Sequence, residues 1–157
     1  MEFDQAIVLF AAFEREGVRY VLIGSMAMAA QGLVRATRGI DVFVAPDADN
    51  VERLKRALYA VFADDSISEI SSEDLSGPYP VIQYGPPDGG FVIDLVARLG
   101  EAFEFRDIES EELVVEGITI RVATPRMLYQ MKRDTVRPQD RVDAERIRER
   151  FGLFEEA

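Results

Sequence analysis

Apolar and polar residues alternate along the chain in several rhythms, and each rhythm predicts a different kind of element. Phe3, Ile7, Phe10 and Phe13 fall at the spacing of one helical face over residues 3–16, and Gly17 closes that helix. Residues 18–23 are a short apolar run of strand length, ended by Gly24-Ser25. Ser25 then caps a helical stretch of small residues, 26–31, before Gly32. Residues 39–44 read as a second strand, stopped by Pro46, and Val51, Leu54, Leu58 and Val61 line one face of a helix over 47–62. Residues 66–79 are polar and serine-rich and predict an irregular loop. Two hairpins follow, 80–85 with 91–97 and 113–115 with 118–122, the second turning at Glu116-Gly117. Thr124-Pro125 opens a helix, and Arg137-Pro138 separates it from a last helix over 139–151. The sum is one α/β (α+β) domain over residues 1–157. Its expected core is a mixed or mostly antiparallel sheet of four to six strands, flanked by helices and ending in a C-terminal helix pair.

Composition narrows the chemistry. The chain has no histidine and no cysteine, which excludes imidazole bases, thiolate nucleophiles, disulfides and zinc–sulfur sites. Carboxylates, hydroxyls, arginine, two lysines (Lys55 and Lys132) and backbone groups remain. The net charge of −11 is unevenly spread: residues 61–120 hold 14 acidic and 2 basic groups, whereas residues 121–157 hold 9 basic and 7 acidic. An acidic middle opposes the wrapping of extended duplex nucleic acid. The arginine-rich C-terminal third still suits one RNA end or a single nucleotide. No apolar run approaches the roughly 20 residues that span a bilayer, and the acidic N-terminus lacks the basic region of a signal peptide, so a cytoplasmic protein without membrane partners is expected.

Two predicted strands carry a carboxylate among apolar residues. Asp41 shares a strand face with Gly39 and Phe43, and Asp94 shares one with Val92 and Val96. A buried ionised carboxylate needs a partner, so each requires an arginine, backbone donors, water at a strand end or a metal ion. Gly24-Ser25, after a strand and before a short helix, offers N–H groups and a hydroxyl to a phosphate, or makes no more than a tight turn. Arg35, Thr37 and Arg38 precede the Asp41 strand. Lys132, Arg133, Arg137, Asp140 and Asp143 form a third cluster, much of which favourable helix-end charges explain. A lysine there, in a chain that otherwise uses arginine, fits the point charge a phosphate takes.

The order of these pieces resembles the nucleotidyltransferase superfamily that includes DNA polymerase β. The pieces are a strand, Gly24-Ser25, a short helix, Gly32, Arg35-Ala36-Thr37-Arg38, then Gly39-Ile40-Asp41-Val42, with Asp94 on a later strand. The tail, Leu128-Tyr129-Gln130-Met131-Lys132 followed by Arg137, Asp140 and Asp143, is similar to the small bacterial branch of AbiEii-type toxin nucleotidyltransferases. The resemblance spans residues 18–150. It implies transfer of NMP from an NTP to a hydroxyl on an RNA 3′ end, a protein or a small molecule, and a partner of the antitoxin kind. It also implies Mg²⁺ held by Asp41 and Asp94, triphosphate at Gly24 and Ser25, nucleotide contacts from Arg35 and Thr37, and phosphate charge from Lys132. One position departs from the family pattern. Gly39 stands where the first aspartate of an Asp-x-Asp pair is expected, on the same face as Asp41, and leaves the third ligand position without a donor. That departure favours an alternative, a catalytically inactive pseudoenzyme that binds nucleotide or a protein. A purely structural domain with salt-bridged aspartates is the remaining reading.

Overall fold

The computed structural model describes residues 3–33, 39–77, 80–87, 92–99, 103–133, 135 and 137–153. Helix α1 (Phe3–Glu16) ends where Gly17, at φ 69°, lets the chain turn back, with the Val18 N–H donating to the Phe13 carbonyl. Strand β1 (Tyr20–Ile23) runs directly into α2 (Gly24–Ala30), and β2 (Gly39–Val44) leads to α3 (Ala48–Phe62), which the Asp47 carboxylate caps. The serine-rich segment is more ordered than its polarity predicts. It forms a 3₁₀ turn (Asp65–Glu69) and a short helix, α4 (Ser72–Ser76), because Ile67, Ile70 and Leu75 are all buried. Asp64 and Ser71 cap those two turns by accepting from the N–H groups of Ser66 and Asp74. Strands β3 (Val81–Tyr84) and β4 (Val92–Val96) make the first expected hairpin. A two-stranded piece, β5 (Arg98–Leu99) with β6 (Phe103–Glu104), was not expected. Strands β7 (Ser110–Val115) and β8 (Ile118–Ala123) make the second hairpin, turning at Glu116 and Gly117, both with positive φ. Helices α5 (Pro125–Arg133) and α6 (Pro138–Phe151) pack against each other at the C-terminal end, the first capped by the Thr124 hydroxyl and the second opened by Pro138.

Six strands form one mixed sheet in the order β3-β4-β2-β1-β8-β7. Strand β1 is antiparallel to β2 and parallel to β8, and β2 is parallel to β4. Strand alternation sends Ile40, Val42 and Val44 to one face of β2 and Asp41 and Phe43 to the other. Phe10, Phe13 and Tyr20 stack where α1 crosses the sheet, and the Tyr20 hydroxyl accepts from the Arg121 N–H at 3.2 Å, fastening β1 to β8. Asn50 is completely buried. Its side chain joins the Arg19 N–H, the Arg19 carbonyl and the Ala45 carbonyl, so a polar residue inside the core leaves no backbone group orphaned there. Among the described residues no helix is long and apolar enough to cross a membrane.

Candidate active site

Register brings the two strand carboxylates together. Asp41 on β2 is the direct partner of Asp94 on β4, across a parallel pair whose strands lie about 4.8 Å apart. On the other side of β2, Asp41 is paired with Ile23, the last residue of β1. The chain therefore enters α2 against the Asp41 carboxylate. Gly24 takes φ 72° there, and a Cβ at that position would overlap the Asp41 Oδ2 atom. Glycine is required twice over, once by the backbone angle and once by the carboxylate. Ser25 lies inside the first turn of α2 and not ahead of it. The position before the helix is Ile23, which supplies no side-chain cap, so the capping role expected of Ser25 is not the one it has.

Burial, then a hydrogen bond with Asp94, then the Asp94 charge push the Asp41 carboxyl up to about 6, and the charges of Lys132 and Arg137 work in the opposite direction. Two facing carboxylates in a half-buried place store repulsion that a shared proton or a cation relieves. One consequence concerns stability. The folded chain keeps a proton on Asp41 that the unfolded chain loses near pH 4, so stability falls as pH rises from about 4 to about 6 and stays low above. Asp41→Asn removes that loss. In chelator at pH 7 the variant is expected to be more stable than the wild type by roughly 1–2 kcal/mol, allowing for partial solvent access, with the gap closing toward pH 4. Melting curves from pH 4 to 8 check this, and equal stability at pH 7 would refute the stored repulsion.

Lys132 is not the solvent-exposed helix-end charge that its position suggests. Its ammonium donates to Asp143 Oδ2 at 3.0 Å and lies 3.4 Å from Asp140 Oδ1, with only 11% of its side chain exposed. Asp143 is fully buried and also accepts from Gln139 Nε2 at 2.9 Å, while the Thr135 hydroxyl donates to Asp140 at 3.0 Å. Asp140 in the first turn of α6 and Asp143 in the second thus hold the lysine of α5 in a fixed place, within electrostatic reach of Asp41. Arg137, largely exposed beside Asp140, adds a second positive charge toward Asp41.

Of the residues singled out in the sequence, the structure brings Gly24, Asp41 and Asp94 into contact and places Lys132 within their field. Arg35 and Thr37 lie outside the described residues. Gly39 is on the Asp41 face and opposite Val92, where an added Cβ would stand 2.5 Å from the Val92 carbonyl oxygen. Sequence reasoning missed Gln83, whose Nε2 donates to Asp94 Oδ1 at 3.1 Å from the neighbouring strand β3. Its signal was faint, one amide in an otherwise apolar strand. Among the described residues no group of three or more carboxylates is placed to hold a metal ion. The Asp41–Asp94 pair offers hard oxygen donors that suit one divalent cation of the Mg²⁺ kind, with water or phosphate oxygens filling the rest of its shell. A groove of about 660 Å³ lined by Glu16, Lys55, Tyr59 and Ile67 contains none of these residues.

No protein-family model and no curated protein sequence matches the chain. Solved structures do. The chain is similar to a candidate nucleotidyltransferase from Thermotoga maritima, at 18% identity over 92% of this chain and 88% of that one, with a TM-score of 0.55. It is also similar to ANT(2″)-Ia, solved in complex with adenylyl-2″-tobramycin, at 14% identity over 93% and 87% of the two chains, with a TM-score of 0.53. An antigenic nucleotidyltransferase-like protein from Paracoccidioides brasiliensis matches at 15% identity over 91% of this chain and 74% of that one, with a TM-score of 0.54. The chain thus has the nucleotidyltransferase fold, a mixed six-stranded sheet flanked by helices and closed by a C-terminal helix pair.

Proposed function

We propose that the protein transfers NMP from an NTP to a hydroxyl group of a compact acceptor with the help of Mg²⁺. The observation that carries this reading is the Asp41–Asp94 pair on adjacent parallel strands, with the start of α2 packed against Asp41. A bound Mg²⁺ would offset the carboxylate charge and draw the phosphate oxygens of the nucleotide to the pair. Gly24 and Ser25 open α2 beside Asp41 and are the proposed contact for the triphosphate. Lys132, fixed by Asp143 and Asp140, supplies positive charge from the α5–α6 side. Arg35 and Thr37 are the proposed nucleotide contacts from the segment before β2. In the transfer, the acceptor oxygen bonds to the α-phosphorus and the bond to the β-phosphate bridging oxygen breaks. Pyrophosphate leaves, and the hydroxyl proton passes to the carboxylate pair.

Acidity across residues 61–120 supports a small or cationic acceptor over long RNA, and ANT(2″)-Ia, with its adenylyl-2″-tobramycin, gives an example of a small one in the same fold. The tail Lys132, Arg137, Asp140 and Asp143 supports placement beside the AbiEii-type toxin enzymes, and with it a protein partner of the antitoxin kind. An NTP substrate supports a cytoplasmic location. Gly39 favours a second reading, a nucleotide-binding protein without transfer, because two carboxylates hold one cation where two-metal transfer uses two.

Calorimetric titration of each NTP with Mg²⁺ onto the wild type and Asp41→Ala tests the reading without knowledge of the acceptor. Binding of at least one NTP that needs Mg²⁺ and falls at least tenfold in Asp41→Ala is expected. No Mg²⁺-dependent binding by the wild type would reduce the resemblance to a shared fold and turn the search to protein partners.

A further inference from the structure

Four residues stand in register across three strand interfaces at one level of the sheet: Ile23, Asp41, Asp94 and Gln83. Helix α2 begins immediately after Ile23, so the row has a helix start at one end and Gln83 at the other. Strand β3 is an edge strand, and the face it shares with Asp94 is open: Val81 is 49% exposed and Gln83 is exposed as well. An exposed glutamine on an edge strand normally points its amide into water. This one is turned inward, with Nε2 on Asp94 Oδ1 at 3.1 Å. The orientation follows from the chemistry of the pair, since an amide oxygen facing a carboxylate oxygen would repel it.

We infer that Gln83 is a positioning residue, whose carboxamide holds Asp94 from the β3 side so that the carboxylate meets Asp41 and a cation from the β2 side. The inference rests on the cation-site reading above and extends it to a residue in the outer layer of that site. The choice of side chain is informative. A lysine here would hold Asp94 equally well but would compete with a cation through its charge. A glutamate would repel Asp94, and an apolar residue would leave the carboxylate free to rotate. A neutral donor fixes orientation without adding charge, which is what outer partners of metal-ligating carboxylates do. It matters more here than where three carboxylates share the load, because Gly39 leaves Asp94 as one of two ligands. The position also places Gln83 on the side away from α2.

The test is Mn²⁺ binding to the full chain, followed by electron paramagnetic resonance, on the wild type, Gln83→Leu, Gln83→Met and Asp41→Ala. Methionine has a similar reach and leucine a similar bulk, and neither carries a donor. The expected result is Mn²⁺ affinity about 10–100-fold weaker in both Gln83 variants, with melting temperatures within about 2 °C of the wild type, because an exposed edge position contributes little to stability. Wild-type affinity in Gln83→Leu and Gln83→Met, beside loss of binding in Asp41→Ala, overturns the positioning role and leaves the cation site standing. A wild type that binds no Mn²⁺, or whose binding persists in Asp41→Ala, overturns the cation site and the positioning role together.

Discussion

Asp143→Ala is expected to lower stability by about 3 kcal/mol, which at this chain length is a drop of roughly 6–12 °C in melting temperature. The side chain has no solvent exposure, and it holds Lys132 at 3.0 Å in a place where only 11% of that lysine reaches water. Removing it leaves an ammonium whose remaining carboxylate, Asp140, is 3.4 Å away and 15% exposed, together with a cavity and a Gln139 amide that loses its acceptor. Alanine at Asp140 should cost less than half as much, because that carboxylate is nearer to solvent and its loss leaves the shorter ion pair intact. The double variant Lys132→Met with Asp143→Leu should recover most of the loss, since it removes both charges at once. Urea denaturation of the four chains gives the comparison. An Asp143→Ala protein within 1 kcal/mol of the wild type would mean that Lys132 reaches water or another carboxylate at little cost.

Gly39→Asp, which adds a carboxylate on the Asp41 face, is expected to carry a penalty that a simple ligand count does not foresee. A Cβ at this position meets the Val92 carbonyl oxygen at 2.5 Å, and a backbone atom paired across the β2–β4 ladder cannot swing away as a flexible side chain would. Both Gly39→Ala and Gly39→Asp should therefore lose about 1–3 kcal/mol in chelator. Only the aspartate should regain stability on adding Mg²⁺ or Mn²⁺, and only it should raise the number of bound Mn²⁺ ions from one toward two. An aspartate variant as stable as the wild type in chelator would show that the strand ends part freely. An unchanged Mn²⁺ count would place residue 39 outside the cation site.

Much of the architecture is written in the periodicity. The helices at 3–16 and 48–62 and the hairpins built on 81–84 with 92–96 and 110–115 with 118–123 each have an apolar face and punctuation by Gly or Pro. The two strand aspartates stood out because no polar face explained them, and the structure makes them neighbours. What stayed hidden depends on long-range pairing. Insertion of β1 between β2 and β8 follows no local signal, and neither does the register that puts Gln83 beside Asp94. Burial of Lys132 was concealed for a related reason, since helix-end electrostatics gave a sufficient local account of every charge in that cluster. In 66–79 the spacing of Ile67, Ile70 and Leu75 did carry a helical hint, but serine content outweighed it. The close approach of Gly39 to Val92 is a property of two backbones and leaves no trace in the identity of either neighbour.

The position of β1 also orders the assembly of the protein in time. Leu22 of β1 pairs with Val122 of β8, about 100 residues later in the chain. At ribosomal speeds of about 5–20 residues per second, β1 waits roughly 5–20 s for that neighbour, and closing so long a loop makes this pairing slow by its topology. In that interval β2 and β4 are already synthesised and bring Asp41 and Asp94 into the nascent chain, whereas Lys132 and the α5–α6 pair come after β8. The facing carboxylates are thus made first and the α5–α6 cluster of Lys132 and Arg137 with Asp140 and Asp143 last, so Asp41 meets the charges of Lys132 and Arg137 only once the final third of the chain has left the ribosome.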